Sequence, residues 1–239
     1  MNRYLEINCD LGEGISDENE IIPFIDAASV ACGGHVGDAD SIRNTVIQCQ
    51  RQGKKVGAHP SYPDHANFGR KSIELHPEAL LRSIEDQIGL FVSIAESLHA
   101  PIDHIKFHGA LYNDAAVKPE LAELLTDFLA MNFPEIPVFV PPHSEMEKLA
   151  RAKNLPLRIE IFGDRAYEND FSLASRSKPG SLLTRFDDVL RHLQPVFEVG
   201  YLVSIDGKRL PVSAETICFH GDNPGLMEFL PEIRQRFWK

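Results

Sequence analysis

Four histidines in this chain share one setting. His35 follows the run Ala28–Cys32 and two glycines, and His59 follows Lys55–Ala58 directly. His108 follows His104–Phe107, and His220 follows Glu215–Phe219. Each preceding run is short and largely apolar, as a strand would be, and each histidine opens a polar break rich in Gly or Pro. Asp10 ends a fifth run of this kind, and Asp222 stands two residues past His220. A strand-end histidine can be a satisfied core residue, but that accounts for one of these more readily than for four. Two chemistries suit the set. Histidine and aspartate from several strand ends, with one position open, suit a hydrolytic divalent metal, with Asp10, His35 and His59 as candidate ligands. Metal-free acid–base catalysis needs only Asp10 and one or two of the histidines. No H-x-H or H-E-x-x-H pair is present to favour the metal.

Around these stand residues that could grip a substrate. Lys106 lies one strand step below His108. It either pairs with Glu6 or Glu160, or holds a carboxylate or phosphate oxygen. Arg70 and Arg165 directly follow strand-end loops and read as anion contacts; Arg176 is a further cation. Tyr62 and Tyr112 read as walls or hydrogen-bond donors. His65, His76, His99 and His192 read as surface or capping residues. Ser61 has no nucleophile elbow around it, and Cys9 and Cys32 fall on the helix-facing register. Neither a serine nor a thiol nucleophile is assigned. Asp10 and His108 are the first choice for the proton transfers, with His59 and His220 next.

A repeat of strand then helix must position these groups. Strands are expected over Tyr4–Asp10, Ala28–Cys32, Lys55–Ala58, His104–Phe107, Val138–Val140, Leu157–Ile161 and Glu215–Phe219. Helices are expected from about Asp40 to Gln52 with Asp38 as N-cap, from Pro77 to Leu98, from Pro119 to Met131, from Ser144 to Lys153, towards Val199, and at the C-terminal end. Asp17–Asp26 reads as a short helix or turn, and residues 108–113 as a loop. Tyr201–Val212 reads as a hairpin around Asp206-Gly207. Seven such units imply a parallel α/β sheet. A seven-stranded (β/α) barrel related to TIM barrels is favoured over an open sheet, because no G-x-G-x-x-G follows the first strand. In such barrels the site lies at the C-terminal strand ends, where all four histidines fall. Period 2 groups Glu6, Asn8 and Asp10 on one face, Lys106 with His108, Arg158 with Glu160, and Thr216, Cys218 and His220 together. Turned inward, these faces make the barrel polar near its top, which is the mark of a lined cavity.

The 239 residues suffice for one domain, 1–239, with the hairpin near 201–212 as an insertion. A net charge of −11 argues against nucleic acid or an anionic membrane as partner. Four cysteines in no C-x-x-C pair, no signal-like start and no apolar run near ~20 residues point to a reducing, cytoplasmic setting.

Taken together, Ile7-Asn-Cys-Asp-Leu-Gly-Glu-Gly14, Ala31-Cys-Gly-Gly-His-Val-Gly-Asp38, Gly57-Ala-His-Pro-Ser-Tyr-Pro-Asp64 with Phe68-Gly-Arg70, Lys106-Phe-His-Gly-Ala-Leu-Tyr-Asn113, Asp164-Arg-Ala-Tyr167 and His220-Gly-Asp222 resemble the LamB/YcsF family. The resemblance implies a barrel of the glycoside hydrolase/deacetylase type. It implies the barrel component of an ATP-dependent 5-oxoprolinase, opening 5-oxoproline (pyroglutamate) to L-glutamate with subunits B and C. Substrate contacts are expected from His35, Tyr112 and Asn113 beside Lys106, Arg70 and Arg165. ATP would act through the partner subunits, since the chain has no Walker A sequence; a homo-oligomer is compatible with this. The chain departs from the family pattern at Gly34, Val36, Ala39 and Phe107, and Gly34 is expected to enlarge the mouth. The competing reading is a metal-dependent deacetylase or amidohydrolase acting alone on an acylated sugar or amine.

Overall fold

Each expected strand-then-helix unit forms, and the strands close on themselves. The computed structural model describes residues 5–15 and 18–238. Tyr4 and Asp17, the expected starts of the first strand and of the segment after it, lie outside the described residues. Strands β1 (Glu6–Leu11), β2 (Ala27–Ala31), β3 (Lys55–His59), β4 (Ile102–Ile105), β5 (Val138–Val140) and β6 (Leu157–Phe162) run parallel in that order. A hairpin, β7 (Tyr201–Val203) and β8 (Arg209–Pro211), follows as a separate antiparallel pair. The final strand, β9 (Thr216–His220), pairs in parallel with both β6 and β1 and closes a seven-stranded barrel.

The helices α1 (Glu18–Ile21), α2 (Ala39–Arg51), α3 (Pro77–Ser97), α4 (Gly109–Val117), α5 (Pro119–Asn132), α6 (Glu145–Ala152), α7 (Phe186–Val199) and α8 (Leu226–Phe237) alternate with them. Asp38 caps α2 in a reciprocal capping box with Ser41. Ile84, Ile88 and Phe91 of α3 are fully buried, as their 3.6-residue spacing requires. No helix among the described residues is long and apolar enough to cross a membrane. The four cysteines are free and buried.

Two expectations are corrected. β4 begins two residues earlier than the apolar pattern suggests, and Lys106–His108 continue beyond it as extended chain. The amides of Lys106 and His108 donate to the carbonyls of Ala58 and Pro60, so this stretch still runs beside the end of β3. Residues 109–113 are helix, not loop. The start of α4 has no side-chain cap to announce it. Its first residue, Gly109, sits at φ 55°, and a Cβ there would lie 2.6 Å from the carbonyl oxygen of Gly69.

The barrel interior is polar over its whole height, not only near its top. At the base, Arg158 bridges Glu6 and Asp103, and Lys55 pairs with Glu6. Above this, Asn8 donates to Glu160 and Thr216. His104 stacks on Phe139 and bonds to Ser29 and Asp103. Burial pushes the His104 imidazole down to about 4 despite the facing Asp103 carboxylate. A histidine kept neutral by the fold stabilises it fully above its unfolded value of 6.5, and that stabilisation is lost as pH falls towards 4. Urea unfolding should therefore show a loss of about 3 kcal/mol from this residue between pH 7 and pH 4. His104→Gln should flatten that part of the profile; an unchanged slope in the variant would refute it.

Candidate active site

The β1/β9 register sets Asp10 beside His220. The β3 end and the extended chain after β4 bring His59 and His108 to the same mouth. Asp10, His59, Lys106, His108 and His220 line one cavity of about 760 Å³ at the C-terminal strand ends, together with Tyr112, Asn113, Phe162, Arg70, Arg165 and Arg176. A larger depression of about 1320 Å³ reaches Glu6, Lys55 and Arg158, but these spend their charges on one another.

Lys106 is 1% exposed. Its ammonium lies 2.7 Å from Asp10 Oδ1, 3.0 Å from Cys218 Sγ, 3.2 Å from Glu160 Oε1 and 3.3 Å from Asn8 Oδ1. Burial would lower the amine, but Asp10, Cys218 and Glu160 outweigh it and hold it charged. Three N–H groups face four acceptors, so none is left for a substrate oxygen. The expected pairing with Glu160 is present, and a grip on a substrate oxygen would have to displace one of these partners. Burial alone would raise the Asp10 carboxyl, but His59 and Lys106 overcome it and hold it well below the usual range.

The four strand-end histidines differ sharply. His59 places Nδ1 2.8 Å from the Lys106 carbonyl and Nε2 2.9 Å from His108 Nδ1. Asp10 Oδ2 is 3.4 Å from that same Nε2. His108 Nε2 is 3.0 Å from the Phe68 carbonyl. His35 does not line the cavity, contrary to its expected place among the substrate contacts. Its ring stacks behind His108 with centroids 3.7 Å apart, and it bonds to Glu13 and Ser61. Burial pushes its imidazole down to about 3, aided by His59. Among the described residues, His220 is the one of these four that keeps a nitrogen without a hydrogen-bond partner. Its Nδ1 lies 2.8 Å from Asp164 Oδ1, which leaves Nε2 to the cavity.

Sequence reasoning missed Glu13 and Asp164, although both lie inside the motifs quoted above. Glu18 accepts hydrogen bonds from the amides of Gly12 and Glu13, and this loop delivers the Glu13 carboxylate to His35 at 2.9 Å and to His108 at 3.5 Å. One donor atom each from Glu13, His35, His59 and His108 lies within 4.8 Å of the others, so this buried cluster can hold a metal ion. Asp164 is fully buried and accepts also from the His220 amide and from Asn223, which fixes its oxygens.

The rim is cationic. Arg70 bonds to Asp222 at 2.6 Å, and Arg176 approaches the same carboxylate at 3.6 Å. Arg165 spends two nitrogens on the carbonyls of Ser181 and Ala174. Tyr62 donates to Asp114 away from the cavity, while the buried Tyr112 hydroxyl faces the Glu160 carboxylate. His192, expected at the surface, is instead buried and donates Nε2–H to the Phe162 carbonyl. Gly34 does not widen the mouth either. A Cβ there would lie 2.2 Å from Gln87 Oε1, because Gln87 fills the space and bonds to both backbone groups of Ser61.

A closed parallel barrel of seven strands, with histidines and carboxylates gathered at its C-terminal mouth, defines a (β/α)7-barrel protein with a site of acid–base and metal-ligand type. The LamB/YcsF family pattern matches residues 5–239, and the chain belongs to that family. It is 32% identical to the lactam utilization protein from Thermus thermophilus, over 97% of this chain and 96% of that one, with a TM-score of 0.88. Two more distant structures share the fold alone. A putative cellobiose-phosphate cleavage protein from Enterococcus faecalis has 14% identity, coverage of 98% and 89%, and a TM-score of 0.57. A GH18 chitinase from Pseudoalteromonas aurantia has 11% identity, coverage of 96% and 99%, and a TM-score of 0.53.

Proposed function

We propose that this chain opens the ring of 5-oxoproline to L-glutamate, as the barrel component of an ATP-coupled enzyme whose subunits B and C handle the nucleotide. Family membership and the likeness to a lactam utilization protein support the substrate class. The observation that carries the chemistry is the Asp164–His220 pair, with His220 Nε2 free at a cavity rimmed by arginines. A buried aspartate on Nδ1–H fixes the tautomer that leaves Nε2 as a base, and it stabilises the imidazolium once formed.

The lactam is an unactivated amide, and ATP can make it electrophilic by phosphorylating its oxygen. Water then adds to the ring carbonyl carbon as His220 Nε2 takes its proton. The C–N bond breaks, and the nitrogen leaves with that proton. Hydrolysis of the resulting acyl phosphate releases phosphate and the second carboxylate of glutamate. Arg70 and Arg176, which share the single Asp222 carboxylate, hold the substrate's own carboxylate. The test is glutamate release from 5-oxoproline with ATP. Turnover should need this chain and both candidate partners. Acetate release from an N-acetylated sugar by this chain alone would replace the proposal with the deacetylase reading, which the buried donor cluster favours.

A further inference from the structure

The hydrogen bonds at the mouth fix two tautomers, and the two do not fit each other. The Lys106 carbonyl can only accept, so the His59 Nδ1 beside it carries the proton. The Phe68 carbonyl can only accept, so the His108 Nε2 beside it carries the proton. In the neutral rings this leaves His59 Nε2 and His108 Nδ1 as lone pairs, and they face each other across 2.9 Å. Two carboxylate oxygens flank the gap: Asp10 Oδ2 is 3.4 Å from the first nitrogen and Glu13 Oε1 is 3.5 Å from the second. All four side chains are buried. Donor atoms of Glu13, His59 and His108 thus lie within 4.8 Å of one another, and Asp10 Oδ2 borders them at His59.

We propose that His59 Nε2, His108 Nδ1, Asp10 Oδ2 and Glu13 Oε1 hold one divalent transition-metal ion of the zinc class. Two imidazoles and two carboxylates are a donor set for such an ion. Ligand atoms around tetrahedral zinc sit ~3.3 Å apart for bonds of ~2.05 Å, and the His59–His108, Asp10–His59 and Glu13–His108 separations of 2.9, 3.4 and 3.5 Å lie near that spacing. A metal-bound histidine commonly donates its other N–H to a backbone carbonyl, as both rings do here. Asp10 meets Lys106 through Oδ1, which leaves Oδ2 for the ion.

His35 belongs to the same cluster but is not a ligand of this ion. Its ring is 4° from parallel with that of His108, so no point lies in both ring planes. An ion held in plane by His108 cannot be held in plane by His35. His35 instead orients Glu13 from behind. Asp10, His59 and His108 line the cavity, so a solvent or substrate oxygen there would reach the ion as a fifth ligand. Bound there, it supplies Lewis-acid polarisation of a carbonyl oxygen or of water. His220, with its own aspartate, remains free to move the proton.

The test reads metal directly and needs no turnover, so it stands apart from the lactam assignment. Chelator-treated full-length protein is titrated calorimetrically with Zn²⁺, and Co²⁺ replaces it for visible spectroscopy. We expect one ion per chain and a Co²⁺ spectrum of low-coordinate nitrogen–oxygen ligation. His59→Ala and His108→Ala should abolish the site, and His35→Ala should weaken it ~10- to 100-fold through Glu13. His76→Ala, at an exposed residue, should bind as the wild type does. If an alanine variant unfolds by circular dichroism, wild-type stoichiometry with Glu13→Gln decides. Absence of stoichiometric binding to the wild type would overturn the proposal. So would binding unaltered in both folded histidine variants, or an imidazole proton bridging His59 and His108 by NMR after exposure to Zn²⁺.

Discussion

His220→Ala should lower 5-oxoproline turnover by ~100- to 10,000-fold, the usual loss when a positioned acid–base group is removed. The fold should survive, because the ring stands at the mouth, 5.0 Å from the Phe162 ring on which it stacks, with Nε2 open to the cavity. Asp164→Asn tests the same couple differently. Asparagine offers an amide where Asp164 Oδ1 accepts from Nδ1–H, so the imidazole can turn its lone pair away from the cavity. Turnover should fall, because the tautomer that leaves Nε2 as the base is no longer fixed. Rates measured with the partner subunits present, with circular dichroism as the folding control, decide it. Near-normal turnover in His220→Ala would refute this assignment of the base.

That pattern reaches far but stops at a definite point. Period 2 correctly turns Asn8, Asp10, Glu160, Thr216 and Cys218 to one interior, since alternation is a property of the extended backbone itself. Helix α4 escapes it, because His108 caps without a side-chain bond and Gly109 reads as loop. Its start is set by the close approach of Gly69, 40 residues away, which no local signal carries. Gly34 shows the same limit from the other side. Absence of a side chain suggests space, yet Gln87 from α3 occupies it.

Within the site, sequence position finds which residues reach the mouth but not what their nitrogens do there. His35, His59, His108 and His220 look equivalent in the chain. Their hydrogen bonds divide them into one ring behind the site, two facing each other, and one oriented by a buried aspartate. Glu13 and Asp164 lie within the motifs. However, a glutamate in a Gly-rich turn and an aspartate after Gly163 become site residues only once Glu18 folds the first loop and Asn223 fixes the second.

Lys106 carries the other large effect, and it should appear first in stability rather than in substrate affinity. Its ammonium is the cation between Asp10 and Glu160, both buried, and the Tyr112 hydroxyl is the other group that faces the Glu160 carboxylate. Lys106→Met keeps the length of the side chain and removes the charge. Two carboxylates would then share a low-dielectric interior with less compensation, and breaking a buried pair in this way costs about 3–5 kcal/mol. Urea unfolding at pH 7 should show that loss. Adding Glu160→Gln should recover part of it by removing one of the stranded charges, and the excess over additivity measures the coupling. If Lys106 instead grips the substrate, Lys106→Met should be about as stable as the wild type and raise KM alone. The four acceptors crowded on one ammonium argue for the first outcome. The second would mean that Lys106 leaves Asp10 when substrate arrives.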